Sequence, residues 1–167
     1  YRLVAQVLAR TGLRASELCE LAADAVTRIG TDGYWLRVPV GKLRNDRMIP
    51  MHPDVVDLFA EWTATNSEHI RRSRRLLADH HDPSDRRTVH RIIARIGAIA
   101  GIDDMHPHRL RHTLATRLLG AQTPFPVISA VLGHASPATT FIYAKADVET
   151  LRIAAIDPEE VCHGRAS

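Results

Sequence analysis

The sequence predicts a mostly α protein with a small antiparallel β hairpin, or a three-stranded sheet if a third strand joins it, an α+β fold. Three observations carry this. Apolar residues recur at helical spacing through most of the chain after Pro53, two short extended runs flank a five-residue turn, and Pro, Gly, Ser and Asp punctuate the ends of both patterns. With 167 residues the chain has the size of one domain and enough material for a core. No internal repeat, low-complexity stretch or linker divides it.

Residues 1–10 read as the end of a helix with Leu3, Val7 and Leu8 on one side, broken by Thr11-Gly12. Ser16 is the expected cap of a short helix through Glu20, with Glu17 in its first turn. Residues 34–40 and 46–51 read as extended, joined by the turn Gly41-Lys42-Leu43-Arg44-Asn45, with a third strand around 24–29. A helix over 53–64 presents Val55, Val56, Leu58 and Phe59, and a second follows near 67–77. Pro83 ends any helix there, and Ser84 or Asp85 caps the next, which runs to Ala100 with Val89, Ile92, Ile93, Ile96 and Ile99 as its core face. Pro107 opens a helix over 107–120 whose apolar side is Leu110, Leu114, Leu118 and Leu119. A short helix over 125–132 stops at Gly133, another from Pro137 ends near Tyr143, and a last one covers about 147–155.

Composition excludes several classes. The chain is 45% hydrophobic and 25% charged, which excludes a disordered tail, a collagen-like repeat and a disulfide scaffold. No apolar run approaches the ~20 residues of a membrane helix. Cys19 and Cys162 make no disulfide framework and point to a reducing compartment. The net charge of +3 conceals an asymmetry: residues 71–95 hold eight Arg against three Asp, whereas the segments on either side are slightly acidic. Such a segment suits a polyanion such as DNA, and a solvated helix face reads equally well from charge alone.

Six residues have the chemistry of phosphoryl transfer. Arg14 and Arg111 are permanently charged forks that each hold two oxygens of one phosphate. His108 and His134 donate, accept or move a proton near neutral pH. Lys42 is a compact cation suited to a general acid, and Tyr143 is a phenol able to act as a covalent nucleophile. His108 and Arg111, three apart at a helix start, share a face where the helix N-terminus favours an anion. Each residue also has a plainer reading: Arg14 pairs with Glu17 or Glu20, Lys42 is solvated in its turn, His112 packs or bonds to backbone, and Tyr143 is a core aromatic. His108 and His112 have metal-ligand spacing, but Arg109 and Arg111 beside them oppose a dication, so no metal is expected.

The order of these residues resembles the catalytic domain of the tyrosine recombinase (phage integrase) family. Thr11-Gly12-Leu13-Arg14-Ala15-Ser16-Glu17-Leu18 resembles its first arginine motif, and Gly41-Lys42 with Arg47-Met48-Ile49-Pro50 its β-hairpin lysine segment. Pro107-His108-Arg109-Leu110-Arg111-His112-Thr113 is similar to its His-x-x-Arg motif. Leu132-Gly133-His134-Ala135-Ser136, with Thr139-Thr140 and Tyr143, is similar to its last histidine and nucleophile. The likeness runs from about residue 3 to 150. Two places depart from it: the proline-rich Gln122-Thr123-Pro124-Phe125-Pro126, and the loosely matching charged stretch 66–82.

The resemblance implies that fold and a site-specific recombinase or integrase. Tyr143 would attack a scissile phosphate to give a 3′-phosphotyrosyl link, Arg14 and Arg111 would clamp the non-bridging oxygens, and Lys42 would protonate the leaving 5′-oxygen. His108 would assist the proton of Tyr143, and His134 would hydrogen-bond the phosphate. Arg44 is the other candidate acid, but its pKa above ~12 makes it a poor proton donor. No ATP, metal or other cofactor is implied. The expected partner is double-stranded DNA, with self-association on it as a tetramer, no membrane, and a location on the nucleoid in a bacterial cytoplasm. Expected DNA contacts are Arg44, Arg71, Arg72, Arg74, Arg75, Arg86, Arg87 and Arg91. The chain reads as a single C-terminal catalytic domain of a longer protein, with the N-terminal core-binding domain lying outside it. The amphipathic stretch after Tyr143 packs either on a neighbouring protomer or on its own chain. Two other functions remain: a non-catalytic DNA-binding module of the same fold, and a type IB topoisomerase.

Overall fold

The computed structural model describes residues 1–29, 33–39, 46–77 and 85–133. Helix α1 (Arg2–Thr11) lies at the centre, packed against three later helices, α3 (Pro53–Ser73), α4 (Arg86–Ile99) and α5 (Pro107–Gly120). Its buried face is Leu3, Val4, Val7 and Leu8, the i, i+1, i+4, i+5 stripe that a 3.6-residue period requires. The helix ends because Gly12 adopts φ +65°. A side chain there would be strained, and its Cβ would also lie 2.6 Å from Leu132 Cδ2 and 3.0 Å from Leu114 Cδ2. The glycine thus ends α1 and brings it against α5 and α6 (Phe125–Leu132).

The short helix α2 (Ala15–Cys19) starts two residues earlier than a Ser16 cap would give. Its N-cap is Arg14, and Glu17, at the third helical position, accepts from the Arg14 backbone N–H at 2.7 Å. This satisfies one of the orphan donors of the first turn without a serine.

The expected third strand exists. Strands β1 (Val26–Arg28), β2 (Tyr34–Val38) and β3 (Arg47–Pro50) form an antiparallel sheet in that order. The register pairs Leu36 with Ile49 and Val38 with Arg47. One face therefore holds Leu36, Val38, Ile49 and also Arg47, all buried in the core. The turn 40–45, with Lys42 and Arg44, lies outside the described residues.

The helices expected at 53–64 and 67–77 are one element, α3, kinked at Asn66, whose backbone leaves the helical region at φ −115°, ψ 19°. It ends at Ser73 rather than at residue 77, because Arg74 takes the left-handed conformation. Residues 75–77 leave the helix and fold back: Ala22 bridges Arg75, Leu76 N–H donates to Leu21 O at 2.8 Å, and the Trp62 indole donates to Leu76 O at 2.9 Å. Leu76 and Leu77, on the expected helix, are instead buried loop residues.

Asp85 is the cap of α4, accepting from Arg87 N–H at 3.0 Å. Val89 and Ile93 are buried and Ile92 and Ile96 partly so, but Ile99 is 79% exposed. The core stripe continues through Gly97, where a Cβ would overlap Met105, and Ile99 falls on the opposite side. Helix α5 begins at Pro107 as expected, capped by His106, whose ring nitrogen accepts from Arg109 N–H at 3.3 Å. Its most buried side is Pro107, Arg111 and Ala115, with Leu110, Leu114, Leu118 and Leu119 partly buried beside it. Helix α6 stops at Gly133, φ +63°. Ile128 and Leu132 pack with Ala115 in a second, smaller apolar cluster. The helices expected to end near Tyr143 and to cover 147–155 lie outside the described residues.

Candidate active site

Three of the six expected catalytic residues are described, and all three meet. Arg14 precedes α2, His108 and Arg111 lie in the first turns of α5, and together they line one open cleft of about 240 Å³. Ser16, Arg86 and His90 complete its polar side. It is smaller than the ~300–1,000 Å³ typical of small-molecule pockets and has three arginines, Arg14, Arg86 and Arg111, in its lining. Such a site suits one anionic group of a larger molecule. The helical spacing that put His108 and Arg111 on one face is borne out by their shared cleft. Lys42, His134 and Tyr143 lie outside the described residues.

Arg14 and Arg111 are held differently in the cleft. Arg111 is 3% exposed, and its two terminal nitrogens donate to Gly12 O at 2.5 Å and Leu132 O at 2.6 Å. A buried guanidinium needs such partners, and here they fix its plane. Arg14 is about half exposed, donating to Glu17 Oε1 at 2.9 Å and to Gly133 O at 3.3 Å. The pairing of Arg14 with Glu17 and its place on the cleft thus hold together and do not exclude each other.

A third arginine joins them. Arg47 Nε donates to Val131 O at 3.0 Å, and its two terminal nitrogens donate to the two Glu17 oxygens at 2.8 and 2.9 Å. Three consecutive carbonyls at the end of α6, those of Val131, Leu132 and Gly133, therefore accept from Arg47, Arg111 and Arg14 in turn. The last carbonyls of a helix have no partner within it and together carry about half a negative charge. Three guanidinium groups from three other elements supply both the donors and the opposite charge. His134 is the next residue of the chain.

Glu17 joins two of these arginines. Burial pushes its carboxyl up, but the Arg47 hydrogen bonds, the Arg14 backbone N–H and the charges of both arginines outweigh burial and hold it below its ordinary value of 4.5. It is therefore ionised at neutral pH.

Sequence reasoning placed Glu17 as a helix-start acid and, with Glu20, as a candidate partner of Arg14, and gave Arg47 no role beyond its motif. The signal for Arg47 was the period-2 alternation of Arg47-Met48-Ile49-Pro50, which puts an arginine on the face of Ile49. His90 carried no signal of its own, since only the packing of α4 beside α2 brings it to the cleft.

The expected DNA-contact arginines divide by place. Arg71, Arg72, Arg74 and Arg75 cluster at and just after the end of α3, and Arg86, Arg87 and Arg91 lie in the first turns of α4; all are exposed. Arg72 reaches Glu68 at 2.6 Å and Arg91 reaches Thr88 Oγ1 at 2.9 Å. Of these seven, Arg86 lines the cleft. Arg44 lies outside the described residues, and His112 is exposed rather than packed inside. No helix among the described residues is long and apolar enough to cross a membrane.

Residues 1–150 match the phage integrase family. The tyrosine recombinase XerC of Mycobacterium sp. (strain KMS) is 34% identical over 163 residues, covering 90% of this chain and 51% of that protein. The tyrosine recombinase XerA of Thermococcus kodakarensis is 36% identical over 157 residues, covering 90% of this chain and 52% of its own length. The chain thus spans about half the length of the curated relatives it matches. Among solved structures, the XerH site-specific recombinase in a post-cleavage complex with its palindromic difH substrate superposes with a TM-score of 0.79 at 25% identity, covering 92% of this chain and 44% of that one. The crystal structure of XerA recombinase gives 0.73 at 30% identity, covering 91% and 57%. The fold expected from the sequence, a tyrosine-recombinase catalytic domain, is the fold found, and the chain belongs to the phage integrase family.

Proposed function

We propose that this chain is the catalytic domain of a site-specific DNA recombinase, which breaks and rejoins strands through a 3′-phosphotyrosyl intermediate. The observation that carries the reading is the convergence of Arg14, His108 and Arg111 on one cleft from positions almost 100 residues apart in the sequence. A phosphate seated there meets the guanidinium groups of Arg14 and Arg111, which stay protonated, and so charged, at neutral pH without a metal. Family membership supports the same chemistry.

In this reading the Tyr143 oxygen bonds to the scissile phosphorus while the bond to the 5′-oxygen breaks. Lys42 gives that oxygen a proton, and His108 assists removal of the proton from Tyr143. Arg14 and Arg111 stabilise the charge on the non-bridging oxygens, and His134 hydrogen-bonds one of them. A 5′-hydroxyl of another strand then attacks the phosphotyrosyl bond and frees Tyr143. One phosphodiester is exchanged for another of equal energy, so no ATP is consumed. Joining two duplexes in this way needs several copies, and a tetramer on DNA supplies one active site per strand. The exposed arginines at the end of α3 and the start of α4, with Arg44, supply contacts to the DNA backbone.

The test is Tyr143→Phe in the full-length protein. The covalent protein–DNA adduct disappears and DNA affinity stays within about twofold. An adduct that survives removes Tyr143 as the nucleophile, and DNA binding with no adduct from the unaltered protein favours the non-catalytic module.

A further inference from the structure

Among the described residues, Arg47 and Arg111 are the two buried arginines, and the reaction proposed above gives Arg47 no task. We propose that Arg47 is a positioning residue: from the core face of β3 it ties Glu17, and through Glu17 the Arg14 guanidinium, to the end of α6 that leads into His134. This rests on the reading of Arg14 as a phosphate clamp.

The geometry gives Arg47 no other use. It faces the core beside Ile49, only 8% exposed, where an unpaired charge is costly. Its Nε and both terminal nitrogens are engaged, one edge of the fork on both Glu17 oxygens and Nε on Val131 O. The Glu17 oxygens are shared with Arg14, whose side chain meets Oε1 and whose backbone N–H meets Oε2. Arg14 then reaches Gly133 O, two residues beyond the carbonyl that Arg47 holds. The contacts close a ring through β3, the start of α2 and the end of α6. Gly133 completes it, since a Cβ there would overlap the Arg47 guanidinium. A lysine offers one nitrogen and cannot make the fork and the Val131 bond together. Buried in this way, Arg47 does not reach DNA, so its loss registers in the chemical step and not in binding. The charged groups on Glu17 are Arg14 from its own helix and Arg47 from β3. Arg86 and His90 of α4 and His108 of α5 line the cleft that Arg14 also lines.

The experiment compares Arg47→Gln and Arg47→Lys with the unaltered full-length protein. The DNA is a nicked duplex recovered by trapping the unaltered protein's adduct from a random-sequence pool. Both variants are expected to bind it within twofold of normal and to form adduct at least tenfold more slowly. In an Arg14→Lys background, Arg47→Gln is expected to slow adduct formation less than threefold, because both changes act on one guanidinium. An unchanged rate in a folded variant overturns the proposal, and so does the same fold-loss in both backgrounds. If Arg47→Gln fails to fold, Arg47→Lys alone makes the comparison. If the unaltered protein traps nothing from the pool, the recombinase reading fails by itself. The positioning role is then read by NMR, where Arg47→Lys should raise the titration midpoint of the Glu17 carboxyl and speed hydrogen exchange at the Gly133 amide. Unchanged values of both overturn it.

Discussion

In the segment 71–95 the arginines are exposed, and their side-chain hydrogen bonds stay local: Arg72 reaches back four residues to Glu68, and Arg91 three residues to Thr88. At the end of α6 the pattern is reversed. Arg14, Arg47 and Arg111 reach carbonyls 119, 84 and 21 residues away, and two of the three are buried. The first region contains the excess charge of the chain and is free to meet a polyanion. The second contributes little to a count of charge, yet it joins α2, β3, α5 and α6 around the cleft. The same side chain works as a long-range charge in one place and as a rigid multi-donor fork in the other. Burial decides which, because only out of water are its hydrogen bonds strong and its loss costly.

The largest effect should come from breaking the buried fork. Glu17→Gln leaves Arg47 without its carboxylate and should cost about 3 kcal/mol in denaturant unfolding at pH 7. The pH dependence fixes the cause. A carboxylate whose folded pKa lies below its unfolded value stabilises fully above the unfolded pKa, and that stability is lost as pH falls through the folded one. The gap between the unaltered protein and Glu17→Gln should therefore be full above pH 4.5, the ordinary value of the group, and shrink below it. A gap that stays constant down to pH 3 would mean that Glu17 acts through packing alone.

A smaller effect is expected where the fork meets backbone. Gly133→Ala places a Cβ at φ +63° and against the Arg47 guanidinium. The backbone strain costs about 1 kcal/mol and the displacement of Arg47 a similar amount, lowering the thermal midpoint. Gly33, with φ +100° and nothing among the described residues within 4 Å of its Cβ position, is the control: Gly33→Ala should show the strain alone. Equal losses at the two sites would show that Arg47 moves aside freely.

The smallest effect on stability belongs to the exposed region. Arg86→Ala, Arg87→Ala and Arg91→Ala should each change stability by less than about 0.5 kcal/mol. Each that contacts a phosphate should reduce the slope of log affinity against log salt by about one unit. An unchanged slope assigns that arginine to the solvated helix face. A large stability loss would erase the distinction between the two regions.

By itself the sequence determined the elements whose signals are local. The apolar stripe of α1, a cap of α4 at Ser84 or Asp85, Pro107 at the start of α5 and Gly133 at the end of α6 each follow from side chains within a turn of the feature they set. It also put Arg14, His108 and Arg111 on the page as one chemical set, since residue type and order are visible without coordinates. Tertiary structure decided what depends on distant partners. Residues 75–77 leave the helical pattern because Leu21, Ala22 and the Trp62 indole offer them backbone partners more than ten residues away. Ile99 faces solvent because the chain after α4 folds Met105 onto Gly97. Arg47 becomes a buried fork because the sheet register sets it beside Ile49, and because the end of α6 and Glu17 arrive there with the acceptors it needs. A pattern of residues fixes which side chains can donate, but only packing settles which acceptors they meet out of water.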